Sequence, residues 1–150
     1  MITKQSIDAF LNEKNIALIG VSAKKKNFGR SLIPELQKRN HTVFLVHPDS
    51  KEIDGIQCIS SIKELPNEVN AIHISVSKDN TEKLLDEIVQ SNIDHIWIQQ
   101  MSETQNIIDT LSATNKNFIY KQCLFMFMEP VKGIHSFHRG LKSLFGKLPK

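Results

Sequence analysis

The residues that could do chemistry gather near the start of the chain. Gly20-Val21-Ser22 is followed by Lys24-Lys25-Lys26 and then by Phe28-Gly29-Arg30. Backbone N–H groups at a tight turn and at a helix start both point outward, and ammonium groups beside them add positive charge. The chemistry this order suits is the cradling of a phosphorylated nucleotide. The spacing departs from GxGxxG, because Ser22 stands at the second glycine and the next glycine is delayed to Gly29. The longer loop could wrap a pyrophosphate with hydroxyl, backbone and ammonium donors, and it would equally serve as a plain turn between strand and helix.

A second group of polar residues follows the next apolar run, at Val46-His47-Pro48, with Asp49 beyond the proline and Lys51 after it. NAD-binding sheets place an acid at this strand end to accept the ribose hydroxyls, and here that acid is missing. An imidazole with a nearby ammonium suits a phosphorylated ribose instead, as in coenzyme A or NADP. Alternatively His47 ends a strand and Lys51 is a solvated charge.

Positioning these groups requires a strand before Gly20 and a helix after Gly29, and the rest of the chain repeats that alternation. Apolar runs at Ile16 to Ile19, Thr42 to Val46, Ala71 to Val76, His95 to Ile98 and Asn117 to Tyr120 read as strands. Between them lie helical stretches. Leu32, Ile33 and Leu36 form one face of a helix that ends near Lys38-Arg39-Asn40 and carries Pro34 in its first turn or so. Leu84, Leu85, Ile88 and Val89 follow an expected Asp79 cap, and Ile107, Ile108 and Leu111 follow Ser102 with Gln105 completing a capping box. The segment from Lys51 to Asn70 reads as an irregular crossover with a helical turn near Ser61 to Leu65. The pattern predicts a doubly wound α/β sheet of about five parallel strands with helices on both faces. Its ligand crevice is expected between the ends of the first and fourth strands, at Gly20 and Gln99.

With 150 residues the expectation is one domain spanning 1–150, of which 131–150 is a basic helical extension. In that tail Ile134, Phe137, Leu141 and Leu144 recur at helical spacing among Lys132, His135, His138, Arg139, Lys142 and Lys147. Such a helix covers its own sheet, or docks to a second copy, another protein or an anionic surface. The net charge of +3 is too small and too dispersed to propose nucleic-acid binding. Two cysteines without CxxC spacing, no apolar signal core and no run of the roughly 20 residues that cross a bilayer predict a cytoplasmic, non-membrane setting. His135 and His138 lack a third ligand, so no metal site is assigned.

The ordered set Ile16-Ala17-Leu18-Ile19-Gly20-Val21-Ser22, Asn27-Phe28-Gly29, Val46-His47-Pro48 and Ile53-Asp54-Gly55 resembles the small bacterial CoA-binding domain proteins. These are similar to the nucleotide-binding domain of the succinyl-CoA ligase α subunit. The likeness continues through Ile72 to Ser77, His95 to Gln100 and Lys121-Gln122-Cys123. It implies a Rossmann-like domain that binds CoA or an acyl-CoA, with Gly20, Val21, Ser22, Lys25, Lys26, Phe28, Gly29 and Arg30 near the phosphates. His47, Pro48 and Lys51 would lie near the nucleotide, while Ser77, Gln99 and Gln100 would line the crevice. Relative to the family pattern, His47 replaces asparagine, Ser77 replaces proline, Gln100-Met101 replaces Pro-Gly, and Leu124 follows Cys123 where proline is common. The ligase's phosphorylated histidine belongs to another domain, so the resemblance implies binding without turnover.

Cys123 follows the last strand, where a ligand thiol could exchange disulfides with it, although a buried packing role is the alternative. The Phe125-Met126-Phe127-Met128 run suits core or a subunit interface. Three function classes follow: a CoA-binding sensor, store or carrier; an NADP-dependent oxidoreductase, for which Tyr120-Lys121 does not supply the usual proton donor spacing; and a regulatory interaction protein that binds no nucleotide.

Overall fold

The apolar runs do form strands, and their alternation decides which face each side chain buries. The computed structural model describes residues 1–130 and Arg139. In chain order these form α1 (Lys4–Leu11), β1 (Asn15–Ile19), α2 (Phe28–Gln37), β2 (Thr42–Val46), β3 (Glu52–Ile53), β4 (Ile56–Ile59), β5 (Ala71–Ile74), α3 (Lys78–Gln90), β6 (His95–Gln99), α4 (Gln105–Ser112) and β7 (Asn117–Gln122). Single 3-10 turns occupy Ile62–Glu64 and Leu124–Met126. The seven strands lie in the order β3-β4-β2-β1-β5-β6-β7, parallel throughout except for the β3–β4 pair.

Period-two alternation splits the core in two. Ile16 and Leu18 of β1, Val43 and Leu45 of β2 and Trp97 of β6 pack with Ile7 and Phe10 of α1 and Leu32, Ile33 and Leu36 of α2. Their strand neighbours Ala17, Ile19, Val46, Ile96 and Ile98 pack with Leu85 and Ile88 of α3 and Ile107 and Leu111 of α4 on the other face. Met126 and Met128 are buried, and Phe125 and Phe127 pack against the first cluster, so that run is core.

Several expectations are corrected. The sheet has seven strands rather than about five, because Asp54-Gly55 turns the expected irregular crossover into the β3–β4 hairpin. Both turn residues take positive φ, 51° and 79°, as a two-residue hairpin of this twist requires. Since β4 joins the first half of the sheet, the strand that crosses over to flank β1 is β5, not the strand ending at Gln99. The switch point of the sheet therefore lies between β1 and β5, at Gly20 and Ser75, and Gln99 ends the strand beyond. α1 was not expected; Thr3 caps it through a reciprocal pair of bonds with Ser6. Its Phe10 meets Trp97 edge-on with centroids 5.2 Å apart.

Helix starts also differ. α3 is capped by Ser77 and not Asp79, since only Ser77 has the extended ψ (157°) that aims its hydroxyl back at the Asn80 N–H. α4 is capped by Thr104 and not Ser102, and Gln105, as its first residue, closes no capping box. Glu82 of α3 holds the cap from another helix, accepting from the Thr104 hydroxyl and the Asn106 side-chain amide. Pro34 sits in the second turn of α2, on its exposed side, and leaves the Arg30 carbonyl without its helical amide donor. The end of that helix is as expected, with Asn40 at φ 65°. The basic helix expected over 131–150, His135 and His138 included, lies outside the described residues apart from Arg139.

The N-terminal edge of the sheet is bonded shut. Glu13 pairs with His95 Nε2 at 3.2 Å and accepts from the Asn70 amide, and its carbonyl meets His41 Nδ1 at 2.8 Å. Asn117 donates to the Ser6 carbonyl at 2.7 Å, and Asn70 accepts from the Asp94 N–H at 2.9 Å. Lys116 Nζ reaches the carbonyls of Ser91 and Ile93, both at 2.8 Å, beyond the C-terminal end of α3. No described helix is long and apolar enough to cross a membrane.

Because Phe10 is fully buried and anchors α1 on Trp97, Phe10→Ala is expected to cost about 3–5 kcal/mol of folding stability. The check is the urea midpoint at constant m-value; a loss below about 1 kcal/mol would show that α1 is peripheral to the cooperative unit.

Candidate functional site

Two glycines bring three pieces of backbone together at the C-terminal edge of the sheet. Gly20 leaves β1 at φ 106°, and a Cβ there would lie 2.3 Å from the Ser75 carbonyl oxygen after β5. Gly29, in the first turn of α2, would place a Cβ 2.5 Å from the Gly20 carbonyl oxygen. The helix start thus rests directly on the turn it follows.

Asn27 fixes the loop between them. Its amide donates to the Gly20 carbonyl at 2.7 Å, while its Oδ1 accepts from Ser22 N at 3.2 Å and Arg30 N at 2.9 Å, capping α2. Ser22 Oγ accepts from the N–H groups of Lys24 and Lys25, at 3.3 and 3.2 Å. The hydroxyl therefore shapes the loop with its lone pairs and keeps its proton for an outside acceptor. Lys24, Lys25 and Lys26 are exposed on this loop, Val21 is buried beneath it, and Phe28 turns inward.

Across the sheet edge, Val46 pairs with Ile19 in register, which sets His47 beside Gly20. His47 Nδ1 accepts from the N–H groups of Asp49 and Ser50, at 3.2 and 3.0 Å, so in the neutral ring the proton sits on Nε2. Pro48 and Lys51 are exposed on the same turn. On the other side of Gly20, Ser77 caps α3. The structure thus gathers Gly20, Val21, Ser22, Phe28, Gly29, His47 and the start of α3 along one edge.

Arg30 is placed differently from a simple phosphate ligand. Its guanidinium forks onto Asp54 at 2.9 and 2.6 Å, and its Nη1 reaches the Ser22 carbonyl at 3.2 Å. That contact raises the guanidinium pKa further and holds the Asp54 carboxyl below its usual range. Gln99 does not line an open crevice either: it is buried, and its Oε1 accepts from Leu124 N at 3.3 Å and faces His73 Nε2 at 3.2 Å. Gln100 is half-buried beside it, followed by Met101 at φ 73°, in the left-handed region that favours glycine. Cys123 is 2% exposed, so exchange with an outside thiol would require that packing to open.

His73, Asn27, Asp54 and Ser75 were not among the expected site residues. Asn27 and Asp54 had local signals, an amide just before a helix and an Asp-Gly pair. His73 had none, because its partners come from distant segments: Gln99 on β6 and Phe28, stacked on the imidazole at 5.8 Å and 24°. The imidazole is fully buried and its Nδ1 has no hydrogen-bond partner. Burial pushes its pKa down to about 4, only partly offset by the bond to Gln99. A groove along α2, lined by Ser31, Glu35, Arg39, Phe125 and Met128, is separate from the loop chemistry.

Residues 14–129 match the family model for a CoA binding domain. Among curated proteins, the chain is 29% identical over 93 residues to the α subunit of ADP-forming acetate–CoA ligase II from Pyrococcus furiosus, a match covering 61% of this chain and 20% of that one. The chain thus spans a fifth of that subunit. It is 19% identical over 111 residues to the uncharacterized Bacillus subtilis protein YneT, covering 74% of this chain and 82% of the other. Among solved structures, a conserved hypothetical protein from Pyrococcus furiosus superposes with a TM-score of 0.69 at 26% identity, over 74% of this chain and 96% of that one. A hypothetical protein from Pyrococcus horikoshii gives 0.76 at 19% identity, over 88% and 94%, and shares the fold.

Two outcomes are expected from this geometry. Gly29→Ala should destabilise by about 1–3 kcal/mol, because the added methyl meets backbone that cannot swing away; a neutral melting temperature would contradict the close approach. For His73, the unfolded chain takes up a proton between pH 6.5 and about 4 that the folded chain refuses. Unfolding free energy should therefore fall as pH drops through that window, by up to about 3 kcal/mol, and His73→Gln should flatten the slope in urea titrations.

Proposed function

Because this chain belongs to the CoA-binding domain family, we propose that it binds coenzyme A or an acyl-CoA at the C-terminal edge of its sheet, as a binding module without turnover. The observation that carries this reading is the Gly20–Gly29 approach, which brings a glycine turn, the start of α2 and three exposed lysines to one strand end. A pyrophosphate there would meet first-turn N–H groups, the Ser22 proton and the ammonium groups of Lys25 and Lys26.

The adenosine end would lie toward His47, Pro48 and Lys51. His47 Nε2–H and Lys51 Nζ offer donors, and no acid stands at the end of β2 to favour an unphosphorylated ribose. The 3′-phosphate of CoA suits that pairing. The pantetheine arm would run past the crevice beside Ser75 toward Ser77 and Gln100. Binding without turnover is supported by what the polar side chains do: Ser22, His47 and Ser77 each organise their own turn and are not aligned as nucleophile and base. What the ligase relative's name says of its activity stays with that longer protein.

Carriage, storage or sensing of CoA in the cytoplasm is the corresponding role. Calorimetric titration with CoA, dephospho-CoA, NAD and NADP tests it: CoA is expected to bind most tightly, and binding confined to NADP, or to none of the four, would overturn it. Lys51→Ala should weaken CoA about fivefold while leaving dephospho-CoA unchanged; equal loss for both ligands would remove Lys51 from the 3′-phosphate.

A further inference from the structure

Arg30 is a cation beside the loop that is held from two directions, by the β3–β4 hairpin and by the loop's own carbonyls. One edge of its guanidinium is held by Asp54, Nε to Oδ2 at 2.9 Å and Nη2 to Oδ1 at 2.6 Å. From the other side, Nη1 draws in the carbonyls of Ser22 at 3.2 Å and Ala23 at 3.5 Å. Carbonyl and N–H of a trans peptide point in opposite directions, so pulling these two oxygens toward Arg30 turns the Ala23 N–H the other way and sets the Lys24 N–H onto Ser22 Oγ at 3.3 Å. Asp54 in turn is set by its hairpin, at φ 51° beside Gly55 at φ 79°. A guanidinium edge already forked onto a carboxylate cannot also fork onto a phosphate.

We propose that Arg30 is a positioning residue, latched by Asp54, that sets the peptide orientation of the loop for an anionic phosphate instead of contacting the phosphate itself. This rests on the binding reading above and deepens it, because it makes the β3–β4 hairpin part of the ligand site. The two alternatives differ in sign. If Arg30 were a direct ligand, or if bulk charge alone governed binding, removing the Asp54 carboxylate would strengthen anion binding. If Asp54 acts as the latch, removing it weakens binding even though a negative charge has gone.

Asp54→Asn is the informative variant, since asparagine tolerates the left-handed turn. It is expected to weaken CoA roughly three- to tenfold at fixed ionic strength. Arg30→Lys, which keeps the charge and loses the fork, should move affinity the same way. In the ligand-free protein, NMR order parameters of the Ala23 to Lys26 amides should fall in both variants from their wild-type values. Tighter or unchanged CoA binding by Asp54→Asn, or unchanged loop order, would overturn the latch. Failure of the wild-type protein to bind CoA would sink the binding reading instead, and the loop order of the free variants would then judge the latch alone.

Discussion

The structure depends on one steric constraint: three backbones meeting where no side chain fits. Gly20 lies against Ser75 and Gly29 lies against Gly20. The first contact lets β1 and β5 part at the correct point, and the second seats α2 on the turn. Moving either strand or helix outward by the width of a methyl would separate the lysine loop from the crevice. The amide of Asn27 then locks a shape that the glycines only permit. Permission and enforcement come from different residues.

Burial beneath that site is unusual in its chemistry. Most of the core is aliphatic, yet the layer under Phe28 holds the His73–Gln99 pair in the middle of the sheet. Gln99 joins β5, β6 and the segment after β7 through one oxygen, and Trp97 adds a bond to the Gln122 carbonyl at 3.1 Å. The pair links three neighbouring segments of the sheet through hydrogen bonds that aliphatic side chains could not make.

Much of this was legible in the sequence, for identifiable reasons. The five long strands are visible because buried parallel strands are apolar runs, and the Gly20 turn is visible because glycine and lysine are locally unusual. The hairpin at Asp54-Gly55 is short and half-exposed, so apolar periodicity misses it and only turn chemistry announces it. Missing it left two strands out of the count and moved the expected switch point from Ser75 to Gln99. The true caps of α3 and α4, Ser77 and Thr104, compete with nearby Asp79 and Ser102, and the choice is made by backbone ψ and by Glu82 from another helix. His73, Asp54 and Arg30 could not be grouped from sequence, since each finds its partner at least 24 residues away.

The two rims of the sheet are built for different tasks. Along the N-terminal rim, Glu13, His41, Asn70, His95 and Asn117 bond to one another or to neighbouring backbone, and their hydrogen-bonding is largely internal. Along the opposite rim the polar atoms shape loops and leave donors facing outward. Stitching one end frees the other: the residues that shape the open rim, such as His47 and Ser77, organise only their own turns, so the rim can change without loosening the seam that secures folding.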